Sequence, residues 1–525
     1  MRLKSLLFVT SFLVSGVMRA PLPKRALQQG LAHDTRKLMS SSTTVGSAVL
    51  GSEARASQKT WLGHPIGLFV LFFTEMWERF SYYGMRGLLK LYMVNYLFAA
   101  SRQVLQGGDA RVAGDPSLVW GWETLRQWLG SDPNTTLGAY SSVIYGWYTG
   151  LVYLTPVFGG YLADRYWGQR KTVFIGGVLM AIGHFVMAFE NAFFLALAFL
   201  ILGCGAFKPN ISTQVGALYP EGDTRRDGAF TIFYMGINLG AFICNLVCGT
   251  LAALYGWHYG FGAAGVGMVL GLGVYAWGQK YLAADQRTQL KTERVASESQ
   301  KKSQASTLSR EEWKRVGALL GLCLLNVVFW AVYEQQGNTM QTWADERTVW
   351  PVLFGFQMPA TWFQSFNPLF IFLLAPLLDF FWAWQSKRRS EPSSVGKMAI
   401  GSLVLGLSFI VMVVGARVVG DGKGSWFWPV FCTLLLTVGE LYLSPIGLSL
   451  VTKVSPARIV SMMMGVWFLS SFLGNILSGY IGVLFEQKLV SAEQFFWFLT
   501  ALGVATGLAI WAFSRPLKRA IGHEV

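Results

Sequence analysis

The stretch Thr74–Lys90, TEMWERFSYYGMRGLLK, carries five charged residues inside an apolar run, Ile66–Leu97, that is long enough to cross a bilayer. An ionised group at membrane depth costs roughly 2.5–3.5 kcal/mol. The charged and tyrosine side chains of the stretch fall within an arc of roughly 140° on one helix face; they are Glu75, Glu78, Arg79, Tyr82, Tyr83, Arg86 and Lys90. A helix must turn such a stripe toward water or toward partners, so we interpret it as one wall of a polar cavity.

The composition of the whole chain is that of a membrane protein. Its 525 residues are 53% hydrophobic and only 14% charged, with a mean hydropathy of +0.41, whereas soluble domains carry roughly 25% charged residues. The number of apolar runs near 20 residues excludes a large soluble α-protein. The net charge of +15 does not indicate nucleic-acid binding, because the basic residues lie in loops between the apolar runs.

Twelve apolar runs are long enough to span a bilayer, which predicts an all-α polytopic membrane protein. Lys and Arg concentrate in the loops after the even-numbered spans, and this asymmetry predicts that both termini are cytoplasmic. The long loop Ser101–Thr136 is a candidate for a short external helix. The predicted spans are residues 66–97, 138–163, 172–189, 193–214, 229–254, 260–279, 316–340, 362–384, 397–416, 427–450, 460–485 and 493–513.

A long, charged, Ser- and Gln-rich segment divides the twelve spans into two sets of six. We therefore expect a six-helix bundle at 61–280, a cytoplasmic linker at 281–314, a second six-helix bundle at 315–515 and a cytoplasmic tail at 516–525. Residues 1–60 do not resemble part of the fold, and are expected to be disordered or not translated. Met39 opens a polar stretch that leads directly to the first span, so we expect translation to start there.

The organisation into six plus six helices suggests the major facilitator superfamily. The loop between the second and third spans, GYLADRYWGQRK, resembles the signature of that superfamily at the same place. An ordinary loop that follows the positive-inside rule would also be basic, but it would not need this ordered spacing. The signature residues are Gly160, Asp164, Arg165, Gly168, Arg170 and Lys171.

The opening stretch gives a closer resemblance. Residues 75–84, EMWERFSYYG, match the E-x-x-E-R-F-x-Y-Y-G motif of the proton-dependent oligopeptide transporters, the POT or PTR family. Residues 233–240, FYMGINLG, resemble the second signature of this family. The resemblance continues through Lys208-Pro209, Phe329–Gln335, Asn367-Pro368 and Glu440–Pro445, and it covers about residues 61–515.

The spanning segments contain eight ionisable residues that could do chemistry: Glu75, Glu78, Glu334, Glu440, Arg79, Arg86, Lys90 and Lys208. One alternative is that they form structural ion pairs that hold the bundle together. Intramembrane charges are more often functional, however, because a buried acid can load and release a proton and a buried base favours an anionic partner. The resemblance implies that Glu75, Glu78 and Arg79 form the proton-coupling cluster, together with Glu334 and Glu440.

The resemblance also implies a peptide-binding site. Arg79, Arg86 and Lys208 would receive the carboxylate of the peptide, and Glu440 its ammonium group. Two cross-half salt bridges would act as gates, Arg86–Glu334 on the outer side and Lys208–Glu440 lower down. The expected peptide-binding residues are Tyr82, Tyr83, Arg86, Tyr153, Lys208, Tyr234, Asn238, Asn367, Glu440, Ser444 and Trp467.

Two positions differ from what the family suggests. Animal members carry a histidine in the second span where this chain has Gly146, so proton coupling would depend on carboxylates. Lys90 extends the charged stripe by one turn and has no role in the family, and it could either snorkel outward or add a cation near the outer gate. His184 is expected to be a packed helix residue and not a proton carrier.

The function that the resemblance implies is proton-coupled import of di- and tripeptides across the cell membrane. Two alternatives are another solute on the same fold, such as nitrate or a peptide-like drug, and a membrane receptor that binds peptide without transporting it. No nucleophile–base motif, metal-ligand spacing or phosphate-binding loop supports an enzyme. The five cysteines are assigned no chemistry. The expected partners are therefore peptides, protons and lipid, with no cofactor and no nucleic acid, and the protein is expected to be monomeric.

Overall fold

The computed structural model describes residues 59–98, 116–129, 135–220, 223–283, 308–456 and 459–521. The described part of the chain contains twelve α-helices of 18 residues or more and two short α-helices. In chain order the helices are α1 Ile66–Tyr92, α2 Trp122–Trp128, α3 Leu137–Leu162, α4 Gln169–Val186, α5 Phe193–Ala217, α6 Arg225–Tyr255, α7 Trp257–Gly278, α8 Arg310–Tyr333, α9 Thr339–Glu346, α10 Phe366–Lys387, α11 Ser394–Val419, α12 Phe427–Val454, α13 Val460–Glu486 and α14 Ala492–Ile521.

Six strands of two residues each occur in the loops and do not form a larger sheet. Two antiparallel pairs are local hairpins, and a parallel pair joins the loop after α9 to the loop before α12. The strands are β1 Thr60–Trp61, β2 His64–Pro65, β3 Thr348–Val349, β4 Val352–Leu353, β5 Phe356–Gln357 and β6 Gly424–Ser425.

Nine helices within the described ranges are long and apolar enough to cross a membrane, so the chain is a polytopic helical membrane protein. They are α5–α8 and α10–α14. The other three long helices are α1, α3 and α4. Helix α1 contains the five charged residues of Thr74–Lys90, which explains why apolarity alone does not select it.

Two hydrophobic cores lie side by side in the bundle. One is built from side chains between Leu68 and Leu282, and the other from side chains between Val316 and Ile510. We refer to these two groups of helices as the first half and the second half. The predicted boundary between the bundles falls between these two cores, at 281–314, and most of that linker lies outside the described residues, as do residues 1–58 and 522–525.

The helix ends follow local sequence signals. Ser309 caps α8 through a capping box with Glu312, in which each side chain accepts a hydrogen bond from the backbone N–H of the other. Gly256 adopts φ +105° and ends α6 so that α7 can begin at the next residue. Outside the membrane segments, Asp223 accepts hydrogen bonds from the side chain and backbone of Arg225 at the start of α6, which lowers the pKa of its carboxyl group to about 2.

One of the predicted spans is interrupted in the structure. The span predicted at 316–340 is broken after Tyr333, where a 3₁₀ turn, Glu334–Gln336, leads into α9. The break places Asn338 between α3 and α13, where its side chain accepts a hydrogen bond from Ser142 and donates one to the Ser478 carbonyl group. The loop predicted to contain a short helix does contain one, α2.

Candidate functional site

A polar cavity of about 330 Å³ lies between the two halves. This volume is within the usual range of small-molecule sites. Part of the charged face of α1 forms one wall through Glu75, Arg79 and Arg86, whereas Glu78 and Lys90 do not line the cavity. Most of the predicted site residues line the cavity: Glu75, Arg79, Tyr83, Arg86, Tyr153, Lys208, Tyr234 and Asn238 from the first half, and Glu334, Asn367, Glu440, Ser444 and Trp467 from the second.

At one end of the stripe, two carboxylates share a single guanidinium group. Arg79 forms ion pairs with Glu75, at 3.0 Å, and with Glu78. All three side chains are at most 3% exposed. With every group ionised this cluster carries a net charge of −1, so one proton would make it neutral. The geometry therefore allows the cluster to take up a proton with little rearrangement.

Lys208 projects into the cavity from α5, whereas the cluster of Glu75, Glu78 and Arg79 belongs to α1. Its Nζ atom lies 4.8 Å from the ring centroid of Tyr153, which is a cation–π distance. Among the described residues, no carboxylate lies within ion-pair distance of Lys208. The lysine is therefore positioned to pair with an anion that enters the cavity.

Glu440 projects from α12 in the opposite half. Its Oε2 atom accepts hydrogen bonds from the Tyr333 hydroxyl group, at 2.7 Å, and from Asn367 Nδ2, at 3.0 Å. Both donors are neutral, and no cation among the described residues forms an ion pair with this carboxylate. The predicted pair between Lys208 and Glu440 is thus not formed here, and the two opposite charges face the same cavity.

The other predicted pair is formed and joins the two halves. Arg86 donates a hydrogen bond to Glu334 Oε2, and its Nε atom donates one to the Tyr145 hydroxyl group at 2.8 Å. The break after α8 places Glu334 at the tip of that helix, facing α1. Arg86 is 14% exposed and Glu334 is 2% exposed, so this ion pair is largely shielded from water.

Lys90 continues the contact between the halves one turn further along α1. It is fully buried, forms an ion pair with Glu486 of α13 at 2.8 Å, and donates a hydrogen bond to Ser142 at 2.7 Å. The suggestion that it snorkels outward is wrong, because a buried carboxylate neutralises it in place. Glu486 also accepts a hydrogen bond from Thr342, so the lysine belongs to a network that joins α1, α3, α9 and α13.

One predicted peptide-binding residue lies elsewhere. Tyr82 does not line the cavity; it is 4% exposed and packs in the core of the first half, with its ring beside Arg79. Tyr82 and Tyr83 are successive residues and point about 100° apart on the helix. Tyr83 faces the cavity and Tyr82 turns toward the neighbouring helices, so the arc predicted for the stripe was too wide at this position.

Several residues that line the cavity were not predicted from the sequence. They are uncharged polar side chains, among them Asn245, Tyr333, Gln336 and Gln364. Asn245 lies seven residues after Asn238, which is two helical turns along the same face of α6. That spacing was a usable signal, but an amide in an apolar helix is less conspicuous than a charge.

The loop signature lies at the end of the bundle remote from Lys90. Arg170 Nε donates a hydrogen bond to the Ala283 carbonyl group at 2.9 Å, and its guanidinium group also contacts the Leu282 carbonyl group. This contact attaches the start of the linker to α4. Asp164 and Arg165 are exposed between α3, which contains Gly160, and Gly168, and Lys171 is exposed in the first turn of α4.

Two expectations concerned histidine: that position 146, a glycine here, carries none, and that His184 is a packed residue. A Cβ atom at Gly146 would lie 2.7 Å from the Asn475 carbonyl oxygen, so α3 and α13 pack backbone to backbone at the position where a histidine was considered. His184 is buried in α4, and its ring lies 2.5 Å from the Ser81 hydroxyl oxygen. His184 does not line the cavity, which agrees with a packing role.

Comparison with known proteins gives consistent results. The chain is 35% identical to "Uncharacterized transporter YclF" of Bacillus subtilis, over 88% of this chain and 96% of that one. It is 35% identical to "Peptide transporter YePEPT" of Yersinia enterocolitica, over 81% and 88% of the two chains. It is 30% identical to a "Di-/tripeptide transporter" of Lactococcus lactis, over 89% and 98%.

Solved structures and a family model agree with these relatives. A mutant of "peptide transporter POT" in complex with alafosfalin superposes with a TM-score of 0.72 at 33% identity, covering 90% of this chain and 99% of that chain. A POT family transporter in complex with 5-aminolevulinic acid gives 0.70 at 31%, covering 88% and 98%. The family model described as POT family matches residues 170–296 and 282–498. The chain belongs to the POT family of membrane transporters.

Proposed function

We propose that the protein imports di- and tripeptides together with protons. The observation that carries this proposal is that two opposite charges face the same cavity, Lys208 from one wall and Glu440 from the other. The two side chains do not form an ion pair with each other. A short peptide is a zwitterion that can satisfy both charges at once, whereas a simple anion would satisfy only Lys208. The printed names of the Yersinia and Lactococcus relatives support peptides as the substrate class.

The proton would be carried by carboxylates. The cluster of Glu75, Glu78 and Arg79 has one negative charge in excess. Glu334 and Glu440 are two further carboxylates, and both line the cavity between the halves. Protonation of Glu334 would remove its attraction for Arg86. Entry of a proton down a potential of 100 mV releases roughly 2.3 kcal/mol per charge, which would drive appreciable accumulation of a coupled solute.

Alternating access would follow from the two gate pairs. With Arg86 paired to Glu334 and Lys208 separated from Glu440, the arrangement fits a state that is closed on the outer side and open to the cytoplasm. Protonation of Glu334 or the arrival of a substrate carboxylate would weaken the outer pair. The two halves could then rock so that Lys208 approaches Glu440.

In this proposal all twelve long helices cross the cell membrane. The positive loops after the even-numbered spans favour a cytoplasmic location of both termini. Residues 61–280 and 315–515 would be the two bundles, 281–314 the linker between them and 516–525 the tail. None of the side chains in this mechanism belongs to residues 1–60. The transporter works as a monomer, since one chain provides both walls of the cavity. The proposed mechanism uses no cofactor.

The test is uptake into proteoliposomes. With an inward proton gradient, vesicles that contain the protein should accumulate labelled dialanine, and Glu440→Gln should abolish the accumulation because it removes the only predicted partner of the peptide ammonium group. Accumulation of the same size without a proton gradient would refute the coupling. Uptake of nitrate without uptake of peptide would replace the proposed solute, and binding of peptide without uptake would favour a receptor.

A further inference from the structure

A small hairpin in the second half presents apolar side chains at the end of the bundle that holds Lys90 and Glu486. It consists of β4, β5 and the two residues between them, and it lies between α9, which contacts Glu486 through Thr342, and α10. Exposed apolar patches of this kind mark a contact with another molecule or with a membrane. The apolar patch on the hairpin and on the neighbouring strands consists of Val349, Val352, Leu353, Phe354, Trp426 and Phe427, all of them exposed.

The base of the hairpin is firmly held by the rest of the second half. Trp350 and Met358 are each 6% exposed and belong to the hydrophobic core of that half. The backbone N–H of Met358 donates a hydrogen bond to the Pro351 carbonyl group at 3.1 Å, and Gln357 Nε2 donates one to the Trp350 carbonyl group at 2.8 Å. The exposed tip is therefore a fixed feature of the fold.

The residue at the tip is unusual for a turn. Phe354 and Gly355 are the two loop residues, with φ of +53° and +81°. Positive φ at both positions is the geometry of a type I′ turn, where asparagine, aspartate and glycine are favoured. A bulky side chain rarely adopts this conformation. The ring of Phe354 is fully exposed, so packing inside the protein does not offset the strain, and the ring indicates a contact outside the chain.

The position of the hairpin along the chain places it at the membrane surface. The span that contains α10 begins at Ala360, three residues after Gln357. Three residues reach at most about 10 Å, and the headgroup layer on each side of a bilayer is roughly 5–7 Å thick. A loop that faces water is normally polar, but no charged residue occurs between Arg347 and Asp379.

The helix that follows the hairpin has a large lipid-facing surface. Only 11% of the most apolar part of the α10 span is buried inside the protein, which is the lowest share among the nine spans of the described ranges. Its exposed side chains include Phe372, Leu373, Leu377 and Phe380. The apolar surface of α10 faces the acyl chains, and the hairpin continues it toward the headgroups.

We propose that the hairpin inserts its apolar patch into the headgroup region of the bilayer and anchors the second half to the lipid surface. Aromatic and leucine side chains are favoured at this depth. A second copy of the chain fits the patch less well, because a stable protein interface takes roughly 20–30 residues from each partner. The inference concerns the membrane contact and does not depend on which solute is transported.

The experiment places the fluorophore NBD on a cysteine at the tip. Phe354→Cys is labelled in the purified full-length protein and reconstituted into phosphatidylcholine liposomes, in which part of the lipid carries a spin label near the headgroup. The five native cysteines are all buried, so the unsubstituted protein gives the background labelling. We expect the spin-labelled lipid to quench NBD at this site strongly, and iodide in the aqueous phase to quench it weakly.

Asp421→Cys is the matched control. Asp421 is fully exposed, as Phe354 is, and lies in the polar loop between α11 and β6. NBD at this site should be quenched severalfold more by iodide and severalfold less by the spin-labelled lipid than NBD at the tip. Equal quenching by iodide at both sites, with no quenching by the lipid at either, would show that the hairpin faces water. Shielding of the tip that disappears when the protein is diluted in lipid would assign the patch to a second copy, and would overturn the lipid contact.

Phe354→Asn separates the contribution of the ring from that of the turn. Asparagine suits positive φ, so this substitution should leave the Tm in detergent unchanged or slightly raised. With NBD attached through Leu353→Cys, the same substitution should reduce quenching by the spin-labelled lipid, because the asparagine side chain is polar. Unchanged quenching would contradict the role of the Phe354 ring in holding the hairpin in the bilayer.

Discussion

At the residue scale, the hydrogen bond from Tyr333 to Glu440 can be tested without changing any charge. Tyr333→Phe removes the hydroxyl group that lies 2.7 Å from Glu440 Oε2 and leaves Asn367 as a donor. A hydrogen bond to a charged group contributes about 1.5–3 kcal/mol. If this bond orients the carboxylate toward the peptide ammonium group, the KM for dialanine uptake should rise about tenfold or more.

The matched control for this prediction is Tyr442→Phe. Tyr442 lies on the same helix as Glu440 but packs against Trp382 and does not line the cavity. Its substitution should leave the KM for dialanine close to that of the wild-type protein. An unchanged KM in Tyr333→Phe would show that Asn367 alone is sufficient to hold Glu440.

The charged residues of the site were predictable from the sequence, and the family resemblance also gave the Arg86–Glu334 pair, but the partner of Lys90 was not predictable. Glu75, Glu78, Arg79 and Arg86 are expensive in a membrane, so their position on one face of α1 already indicated a cavity. The partner of Lys90 could not be identified, because Glu486 lies at the end of α13 and was indistinguishable from a loop residue. Gln336 and Asn245 were missed because a buried amide is not rare enough to be noticed without its surroundings.

At the element scale, the contact between α3 and α13 depends on a glycine. A Cβ atom at position 146 would lie 2.7 Å from the Asn475 carbonyl oxygen and 2.9 Å from the Gly479 backbone nitrogen, and backbone atoms cannot move aside cheaply. We therefore expect Gly146→Ala to separate these helices, to lower the Tm of the purified protein and to reduce dialanine uptake.

The control is a glycine with free space around it. Apart from the neighbouring backbone of its own helix, no atom lies within 4 Å of a Cβ atom at Gly273, inside α7. Alanine is favoured over glycine inside a helix by about 1 kcal/mol, so Gly273→Ala should leave the Tm unchanged or slightly raised and uptake unaffected. Equal behaviour of the two variants would mean that the α3–α13 contact relaxes without cost.

The order of the long helices and most of their boundaries followed from hydropathy, while the breaks inside them did not. Apolar runs give the length of a helix because a membrane span needs about 20 such residues. The break after Tyr333 has no proline to mark it. It is stabilised by contacts across the bundle, such as those of Asn338 with Ser142 and Ser478, and these are invisible in a single chain read in order.

At the scale of the whole molecule, the two halves are joined by ion pairs and hydrogen bonds at one end of the bundle. Arg86–Glu334 and Lys90–Glu486 both cross between the halves there, and Asn95 donates a hydrogen bond to Asp345 at the same end. Removing one partner of a buried ion pair typically costs 3–5 kcal/mol, because the other charge is left unpaired. Glu486→Gln should therefore favour states in which this end is open.

This shift can be measured as the labelling rate of a cysteine placed in the cavity. Ala241 lines the cavity, and the five native cysteines are all buried. In cells that express Ala241→Cys, a membrane-impermeant maleimide added from outside should react faster when Glu486→Gln is also present. The control is Arg417→Ala, which breaks the exposed Arg417–Glu493 ion pair within the second half and should leave the rate unchanged. If both substitutions accelerate labelling equally, or neither does, then Lys90–Glu486 does not hold the two halves together.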